Sequence, residues 1–446
     1  MEFLIKAAQL ILSLSLLVIL HEFGHYIPAR LFKTRVEKFY LFFNPWFSLF
    51  KKKIGDTEWG IGWLPLGGYV KISGMVDESM DKEQMAQPAQ PWEFRSKPAW
   101  QRLIIMLGGV TVNVIAAIVI YVCIVFAYGE EQLKPSELKE GIAINPYLQK
   151  YGLKSGDNIV ALNDEKVLQA MDLNVEIMLR GKRKLSVVHS DGSKETVNLP
   201  EKIEYELFEN GAFPAFELRS TNLTVDSIIP GKPADQAKLK AGDKLLSFNN
   251  NPLEYYDNVK KELYNARSSK STIEVLRGKD TVELTVNVPK EGLIGFVVAA
   301  KPADLVDYSK VKTVYFGFGE CIGKGIKKGY NTLNDYAAQM KFMFTKKGAT
   351  EIGGFARIGQ LFPSTWNWQI FWLNTAFISI ALAFMNILPI PALDGGHVVF
   401  LLYEIVTGKE APQKVLEYAQ YVGFFLLIGL TLYANGLDVF KWLTGS

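Results

Sequence analysis

The sequence predicts an α-helical membrane protein with four transmembrane helices and an inserted pair of small α+β units. Four uncharged apolar stretches, each near the ~20 residues that a membrane helix needs, lie toward the two ends of the 446-residue chain. The long stretch between the second and the third is polar and contains a repeat. Hydrophobic residues make up 49% and charged residues 21%. This composition fits a mosaic of spans and soluble modules better than it fits a soluble protein or a transporter.

The four spans divide the membrane part into two halves. The first half is residues 1–129, with spans at about 4–27 and 103–128, and the second is residues 358–446, with spans at about 366–390 and 418–437. We expect the N-terminal run to be a retained span, because its only basic residue is Lys6 and no A-x-A-like cleavage site follows. A cleaved signal peptide is the alternative.

Basic residues predict the orientation of the spans. They crowd the loop after the first span, which favours a cytoplasmic location for that loop. With four spans, both termini and the polar insert then lie on the other side of the membrane. The basic residues are Arg30, Lys33, Arg35, Lys38, Lys51, Lys52 and Lys53.

The same cytoplasmic loop is expected to contain a β-hairpin or re-entrant loop at about residues 61–75. It includes Trp63 to Ile72, where β-favouring residues surround the pair Gly67-Gly68. A polar link from Asp77 to Trp92 follows it.

The insert contains the repeat, an L-K-x-G-D turn followed by a strand that ends at Asn. One copy runs from Tyr151 to Asn163, and the other from Ala237 to Asn249. Two copies about 86 residues apart predict two domains, residues 130–220 and 221–307. The pattern resembles a PDZ domain, a module that takes an extended chain end as an added strand. A pair of β-rich spacers without a ligand is the alternative.

The segment after the insert, residues 308–357, alternates lysines with apolar residues. We expect it to be amphipathic and to lie on the membrane surface. A solvated helix packed on the insert is the alternative, and five glycines between Gly317 and Gly329 weaken any continuous helix.

The chemistry is centred on the motif H-E-x-x-H at the end of the first span. On a helix, residues four apart share a face, so His21 and His25 can present two imidazoles to one metal ion. Glu22 stands beside the first of them and can act as a general base. Such motifs also occur by accident on solvated helices. At membrane depth, however, three ionisable groups in five residues are costly, and a bound divalent ion would offset that cost.

A second polar cluster ends the third span. Pro389 and Pro391 break the helix, and Asp394 is the first charge after a long apolar stretch. A catalytic zinc usually has three protein ligands, so Asp394 is the best candidate for the third. A carboxylate at the membrane interface is the alternative. His397 competes as a ligand, but we expect it to face the interface.

Together these segments resemble the site-2 protease family of intramembrane zinc metalloproteases. The family motifs H-E-x-x-H and N-x-x-P-x-P-x-x-D-G are complete at His21–His25 and Asn386–Gly395. The P-L-G-G-Y-V-K loop and two PDZ-like units add to the resemblance. One departure is Val110, which stands where the family often has proline in G-P-x-x-N, while Gly109 and Asn113 are kept.

The resemblance implies a zinc-dependent endopeptidase with one Zn²⁺ per chain. It implies cleavage within or near the transmembrane segment of single-span proteins that have already been trimmed, such as an anti-sigma factor or signal-peptide remnants. Asn386 would hold the substrate backbone. The implied location is the bacterial inner membrane, in contact with lipid, with the PDZ-like domains and both termini periplasmic and the active site near the cytoplasmic face. The substrate-binding candidates are Asn386, Pro389, Pro391, Gly67, Gly68, Tyr69 and Asn113.

Other classes of function stay open. A net charge of +3 and the lack of a basic run with aromatics argue against nucleic acid as a partner. Two cysteines suggest neither a disulfide framework nor a thiolate site. A membrane-anchored PDZ scaffold that binds periplasmic chain ends, or a zinc sensor or transporter, would share parts of the pattern without proteolysis.

Overall fold

The computed structural model describes residues 2–75, 87–138, 140–298, 311–350 and 353–444. The chain divides into two compact units, one comprising Met1–Gly129 with Tyr315–Thr444 and the other Glu130–Val314. The predicted polar link from Asp77 to Trp92 lies largely outside the described residues, as does the start of the predicted amphipathic segment.

Two long apolar helices joined by a small sheet form the first half of the membrane unit. Both helices have 30 residues, about 45 Å, and are apolar enough to cross a membrane. The elements are helix α1 (Glu2–Leu31), strands β1 (Val36–Phe43), β2 (Phe50–Ile54), β3 (Thr57–Ile61) and β4 (Leu64–Ile72), and helix α2 (Ala99–Tyr128).

Glycines let the backbones of α1 and α2 touch. A Cβ on Gly24 would lie 2.6 Å from the carbonyl carbon of Gly108, and a Cβ on Gly108 would overlap the carbonyl of Gly24. Small residues at such a crossing give close van der Waals contact, on which helix association in lipid depends. Gly24, inside the H-E-x-x-H motif, thus sets how near α2 comes to the two histidines.

The sheet has the strand order β2-β3-β1-β4, with β1 parallel to β3 and antiparallel to β4. This corrects the predicted hairpin at 61–75, because β4 does not pair with the strand that precedes it. Strand β1 is one of the two inner strands, and its Phe39 and Tyr40 are buried. Because the apolar residues of β1 are buried at an inner position of the sheet, β4 lies at an edge. Among the described strands, β4 pairs only with β1.

The insert, Glu130–Val314, begins and ends in one antiparallel pair, β5 with β18. Its strands are β5 (Glu130–Gln132), β6 (Ile142–Ile144), β7 (Asn158–Leu162), β8 (Glu165–Lys166), β9 (Lys184–Val188), β10 (Lys194–Asn198), β11 (Phe216–Leu218), β12 (Ser227–Ile228), β13 (Lys244–Phe248), β14 (Asn251–Pro252), β15 (Ser269–Arg277), β16 (Asp280–Val288), β17 (Phe296–Val297) and β18 (Lys312–Val314). Its helices are α3 (Leu173–Met178), α4 (Ile203–Glu209), α5 (Pro233–Gln236) and α6 (Tyr256–Asn265).

The two copies of the sequence repeat have the same topology. The first sheet has the order β10-β9-β7-β8 and the second β16-β15-β13-β14, and each copy adds one antiparallel pair, β6 with β11 or β12 with β17. The L-K-x-G-D turn is closed in the same way twice. The backbone N–H of Lys154 donates to Asp157 Oδ2 at 2.8 Å, and that of Lys240 donates to Asp243 Oδ2 at 2.8 Å.

The copies differ in the cation that holds the turn aspartate. In the second copy Arg277 donates to both carboxylate oxygens of Asp243, at 2.8 and 2.7 Å. In the first copy His189 takes this place, with Nδ1 3.0 Å from Asp157 and Nε2 3.0 Å from Glu195. These hydrogen bonds, with that to Asp157 first, raise the pKa of His189. The first copy is therefore held by a group that titrates, and the second by one that does not.

We expect His189→Gln to weaken the first copy at pH 6 and to have little effect at pH 9. Because the folded-state pKa of His189 is raised, its stabilising contribution is complete below the unfolded value of about 6.5 and is lost as pH rises through the folded value. Hydrogen exchange of the β7 and β9 amides in the full chain would measure the effect. Arg277→Gln, the matched variant of the second copy, should lower protection of β13 and β15 at both pH values. An equal loss for His189→Gln at both pH values would contradict the prediction.

The second half of the membrane unit is helical. Of its helices, α10 and α12 are long and apolar enough to cross a membrane, which together with α1 and α2 gives four candidate spans in the described residues. The helices are α7 (Phe318–Met343), α8 (Lys346–Thr350), α9 (Phe355–Gly359), α10 (Trp368–Ile387), α11 (Asp394–Thr407) and α12 (Gln413–Thr444).

Helix α7 is continuous for 26 residues despite its glycines, and it packs along α2. A Cβ on Gly325 would collide with Val122, and one on Gly329 would lie 2.9 Å from Ile118. Gly325 and Gly329 therefore lie on the face that contacts α2, and this packing offsets their poor helix propensity. Neither of the predicted arrangements of this segment included α2 as a packing partner.

Candidate metal centre

Three side chains from the two ends of the chain converge on one point. His21 and His25 lie one turn apart in the C-terminal half of α1, and Asp394 is the first residue of α11. The two Nε2 atoms are 3.2 Å apart, and each lies 3.3 Å from Asp394 Oδ2. Among the described residues this is the group of His, Cys, Asp and Glu side chains that could hold a metal ion.

These distances fit a tetrahedral zinc ion. Zn–N and Zn–O bonds of about 2.0–2.2 Å at the tetrahedral angle place ligand atoms about 3.3–3.6 Å apart. Asp394 Oδ2 is also a buried atom without a hydrogen-bond donor in the described structure. Such a carboxylate oxygen is costly to bury unless it is paired or coordinates a metal. Three ligands leave a fourth position open, which is typical of catalytic zinc.

The hydrogen bond of His25 gives its ring the tautomer that a metal ligand needs. Its Nδ1 lies 2.8 Å from the carbonyl oxygen of Ile105 on α2. A carbonyl can only accept, so Nδ1 carries the proton and donates it. The lone pair of Nε2 is then left free at the point where His21 and Asp394 meet, as is usual for a histidine that binds a metal.

Asn113 orients the second histidine. Its side-chain amide lies 3.2 Å from His21 Nδ1, and the residue is fully buried on α2. Its Oδ1 atom is buried without a partner, and turning the amide by 180° would let that oxygen accept a hydrogen bond from the Nδ1–H of His21. In that orientation both histidines present Nε2 to the centre. Ser379 donates to the Asn113 carbonyl at 2.7 Å and ties α10 to this part of α2.

Gly109 makes room for both rings. A Cβ at this position would lie 2.6 Å from His21 Cε1 and 2.8 Å from His21 Nδ1, and would also overlap His25 Nε2. Real Cβ atoms do not approach other heavy atoms this closely. The absence of a side chain at Gly109 is therefore a condition for the histidine pair.

A tight turn carries Asp394 into the site. Ala392 has φ of +78°, a left-handed conformation that costs a non-glycine residue about 1 kcal/mol or more. A Cβ on Gly395 or Gly396 would collide with the backbone of the turn, at Leu388 and Pro391. The two prolines end α10, and the two glycines let α11 begin at once beside them.

An ion pair fixes the far end of α11. Arg102 on α2 donates to Glu404 Oε1 at 2.5 Å and reaches Glu410 at 3.2 Å. The Arg102 side chain is 11% exposed and that of Glu404 15%, so this pair is shielded from water. It ties α11, whose first residue is Asp394, to the same helix that contacts both histidines.

Glu22 stands beside the three ligand atoms in a cavity of about 370 Å³. It is buried, and the backbone of Val70 on β4 contributes a hydrogen bond to its carboxylate. The close approach depends on Gly68, where a Cβ would lie 2.6 Å from Val18 on α1. The cavity walls come from α1, β1, β4, α2, the turn before Asp394, α11 and α12.

The structure brings only some of the predicted substrate-binding residues to this cavity. Gly68 and Tyr69 line it. Asn113 does not, because it contacts His21 instead. His397, which we expected to face the interface, does line the cavity. The predicted residues outside its described lining are Gly67, Asn386, Pro389 and Pro391.

Several residues of the site were not predicted from the sequence as part of it. Gly109 was noted only for the proline that follows it in relatives, and Gly108, Arg102 and Gln420 were not singled out. Adjacent glycines inside a membrane span and a buried amide in the fourth span were the available signals. Neither signal states which partner the residue will meet.

In a comparison with known proteins, almost the whole chain matches one protein family. The family model "Peptidase family M50" matches residues 9–430. The chain is 27% identical to Regulator of sigma E protease of Haemophilus influenzae, over 97% of this chain and 98% of the relative.

Two further relatives carry zinc metalloprotease names. The protein of Neisseria meningitidis is 27% identical, over 97% of this chain and 98% of its own length. The protein of Thermotoga maritima is 26% identical, over 96% of this chain and 98% of its own length. The similarity thus includes both membrane halves and the insert.

Proposed function

This chain belongs to peptidase family M50, the site-2 proteases, and we propose on that basis that it hydrolyses peptide bonds within or near transmembrane segments of single-span membrane proteins. It is a zinc-dependent metalloprotease with four membrane-spanning helices. The observation that carries the proposal is the meeting of His21, His25 and Asp394 at 3.2–3.3 Å, with Glu22 beside them in a cavity among those helices.

We assign His21, His25 and Asp394 as the zinc ligands. Zinc bound there supplies Lewis acidity, which polarises a scissile carbonyl and lowers the pKa of water to about 7. The residues around it fix the geometry in advance. Ile105 and Asn113 orient the imidazoles, and the turn through Ala392 holds the carboxylate.

We assign Glu22 as the general acid and base. Its carboxylate accepts a proton from the attacking water and returns it to the leaving amine, so that the tetrahedral species collapses with cleavage of the C–N bond. Burial and the hydrogen bond from Val70 hold the carboxylate in one place beside the ligands. Because that hydrogen bond comes from β4, the strand that positions the base is also the strand to which we propose that the substrate adds.

The substrate must be unwound to react, because a helix hides its carbonyls in hydrogen bonds to residue i+4. Edge strand β4 can replace the hydrogen bonds that the substrate helix loses when it unwinds. Its residues Gly68 to Val70 line the cavity, and the edge away from β1 has no partner among the described strands. An extended segment that added to this edge would recover its backbone hydrogen bonds while it passed Glu22. Asn386, Pro389, Gly67 and Pro391 would act in substrate binding beyond the described cavity wall.

The remaining parts of the proposal concern orientation and access. The basic loop between α1 and α2 favours a cytoplasmic position for the site, with the insert and both termini periplasmic. The two copies in the insert would act as PDZ-like domains that admit pre-trimmed substrates or bind periplasmic chain ends. The relative in Haemophilus influenzae is named for regulation of sigma E, and this name supports an anti-sigma factor as the proposed substrate class, together with signal-peptide remnants.

The test is cleavage of a labelled single-span protein by the full chain in liposomes, with zinc measured on the same preparation. We expect one zinc per chain, cleavage in the membrane segment of a substrate with a truncated outer domain, and slower cleavage of the untruncated one. A chelator should stop the reaction and added zinc should restore it. A chain that holds zinc and cuts no substrate would instead support a scaffold or sensor.

Asn113→Ala should weaken zinc binding about 10–100-fold, the usual effect of losing a residue that orients a metal-bound histidine. The physical reason is that His21 Nδ1 loses its partner and its ring can rotate. A titration against a competing chelator would measure the affinity. Asn374→Ala is the matched control, because the Asn374 amide donates to the Leu361 carbonyl away from the site. Unchanged zinc affinity in Asn113→Ala would remove the assigned role.

A further inference from the structure

Helix α12 contributes one residue to the active-site cavity, Gln420. Most apolar side chains of this helix are exposed in the described structure, among them Tyr418, Val422 and Phe425. Gln420 differs from them because it is polar and only 6% exposed. The most buried polar side chain of this helix therefore faces the cavity that contains Glu22.

A backbone contact sets the depth of Gln420. A Cβ on Gly423, one turn further along α12, would overlap the carbonyl of Pro391. Gly423 thus allows α12 to lie directly against the turn that leads to Asp394. Residues three apart share a helix face, so Gln420 is held beside the same turn, where Ala392 and Leu393 also line the cavity.

The side-chain amide of Gln420 is not engaged by another described residue of the chain. Within the described residues its side chain makes no hydrogen bond and no ion pair. A polar group in a membrane span is usually functional, and this one lines the cavity. Lys71, another polar residue of the cavity wall, is paired with Glu37 at 3.7 Å.

Building on the proposed function, we propose that Gln420 binds the backbone of the unwound substrate through its side-chain amide. When an extended substrate segment adds to β4, the peptide groups along one edge of the segment form hydrogen bonds with β4. The peptide groups along its other edge face the cavity. Outside water, those groups need partners. A glutamine amide offers one donor and one acceptor to a peptide group, whatever the substrate side chains are, and it adds no charge beside the zinc ligands.

Binding can be tested apart from catalysis. In the full chain carrying Glu22→Gln, the affinity for a fluorescent single-span peptide would be measured with and without Gln420→Met, which keeps the length of the side chain and removes its hydrogen bonding. We expect about tenfold weaker binding, the effect of one buried hydrogen bond. Gln413→Met on the same helix is the control, because Gln413 is exposed and bonds only Glu417 among the described residues. It should bind the peptide like its parent.

A second measurement separates binding from a structural role. With Glu22 present, Gln420→Met should raise KM about tenfold with little change in kcat, and its zinc content should stay at one per chain. Gln420→Asn, which keeps the amide on a shorter side chain, should recover part of the affinity. Zinc loss in Gln420→Met would show that the residue supports the site and would overturn the inference. So would unchanged peptide affinity.

The experiments distinguish failure of the proposed protease function from failure of the inference about Gln420. If the unmodified chain bound zinc but neither bound nor cut the single-span peptide, the protease assignment to this site would fall, and the inference with it. If the unmodified chain cut the peptide and Gln420→Met bound and cut it equally well, only the inference about Gln420 would fall.

Discussion

Glu22→Gln is expected to abolish cleavage and to leave zinc in place. The substitution keeps the size of the side chain and removes the group that accepts the proton of the attacking water. A loss of about 1,000-fold is expected, within the range that general acid–base catalysis contributes. Zinc should stay at one per chain, because the three converging ligand atoms belong to His21, His25 and Asp394.

The measurement is cleavage of a single-span substrate, with zinc assayed on the same preparations. Glu417→Gln is the matched control, since this glutamate lies near the start of α12 and bonds Gln413 in the described structure. It should cut like the unmodified chain. If Glu22→Gln cut at the parental rate, Glu22 would have no part in proton transfer. If it lost zinc, Glu22 would belong to the metal-binding group.

Gly109→Ala is expected to remove zinc itself. The added methyl group would occupy space now held by the imidazoles of His21 and His25, 2.6 Å from the nearest His21 carbon. Neither ring can yield freely, because each is already hydrogen-bonded to α2, His25 to the Ile105 carbonyl and His21 to the Asn113 amide. We therefore expect zinc affinity to fall at least 100-fold, and cleavage to fall in proportion at limiting zinc.

Gly429→Ala provides the control for glycine replacement in a membrane helix. A Cβ at Gly429 meets nothing within 4 Å, and alanine has the better helix propensity. This variant should keep zinc and activity, and its thermal stability should be equal or slightly higher. Zinc occupancy equal to that of the parent, about half, in Gly109→Ala at a free zinc concentration near the parental dissociation constant would contradict the steric argument.

The spans and the ligand set follow patterns that are local in sequence. A run of uncharged apolar residues predicts a span wherever it occurs, and the structure has helices at all four places. Three of these helices are longer than the predicted spans, and α10 is shorter because it ends at Ile387, before the two prolines. His21 and His25 share a face because of helix periodicity alone. Asp394 is predicted from the motif and from the long uncharged run before it, and it lies 3.3 Å from both histidines.

Pairings between distant segments were not predictable in the same way. Residues 61–75 contain the signals of a hairpin, yet β4 pairs with β1, because a buried strand earlier in the loop takes an inner position in the sheet. Gly325 and Gly329 argue against a helix when read alone, and they favour one once α2 lies against them. Asn113 has the chemistry to bind a substrate, but its neighbour is His21. In each case a tertiary contact decided between local alternatives.

The position of Asp394 has a consequence for the synthesis of the protein. It follows His25 by roughly 370 residues, which a ribosome needs roughly 20–70 seconds to translate at about 5–20 residues per second. During that time α1 is already in the bilayer with two of the three assigned ligands. A nascent chain in this state lacks the third ligand and so cannot attack neighbouring proteins at its insertion site. Translation order thus delays protease activity until nearly the whole chain has been made.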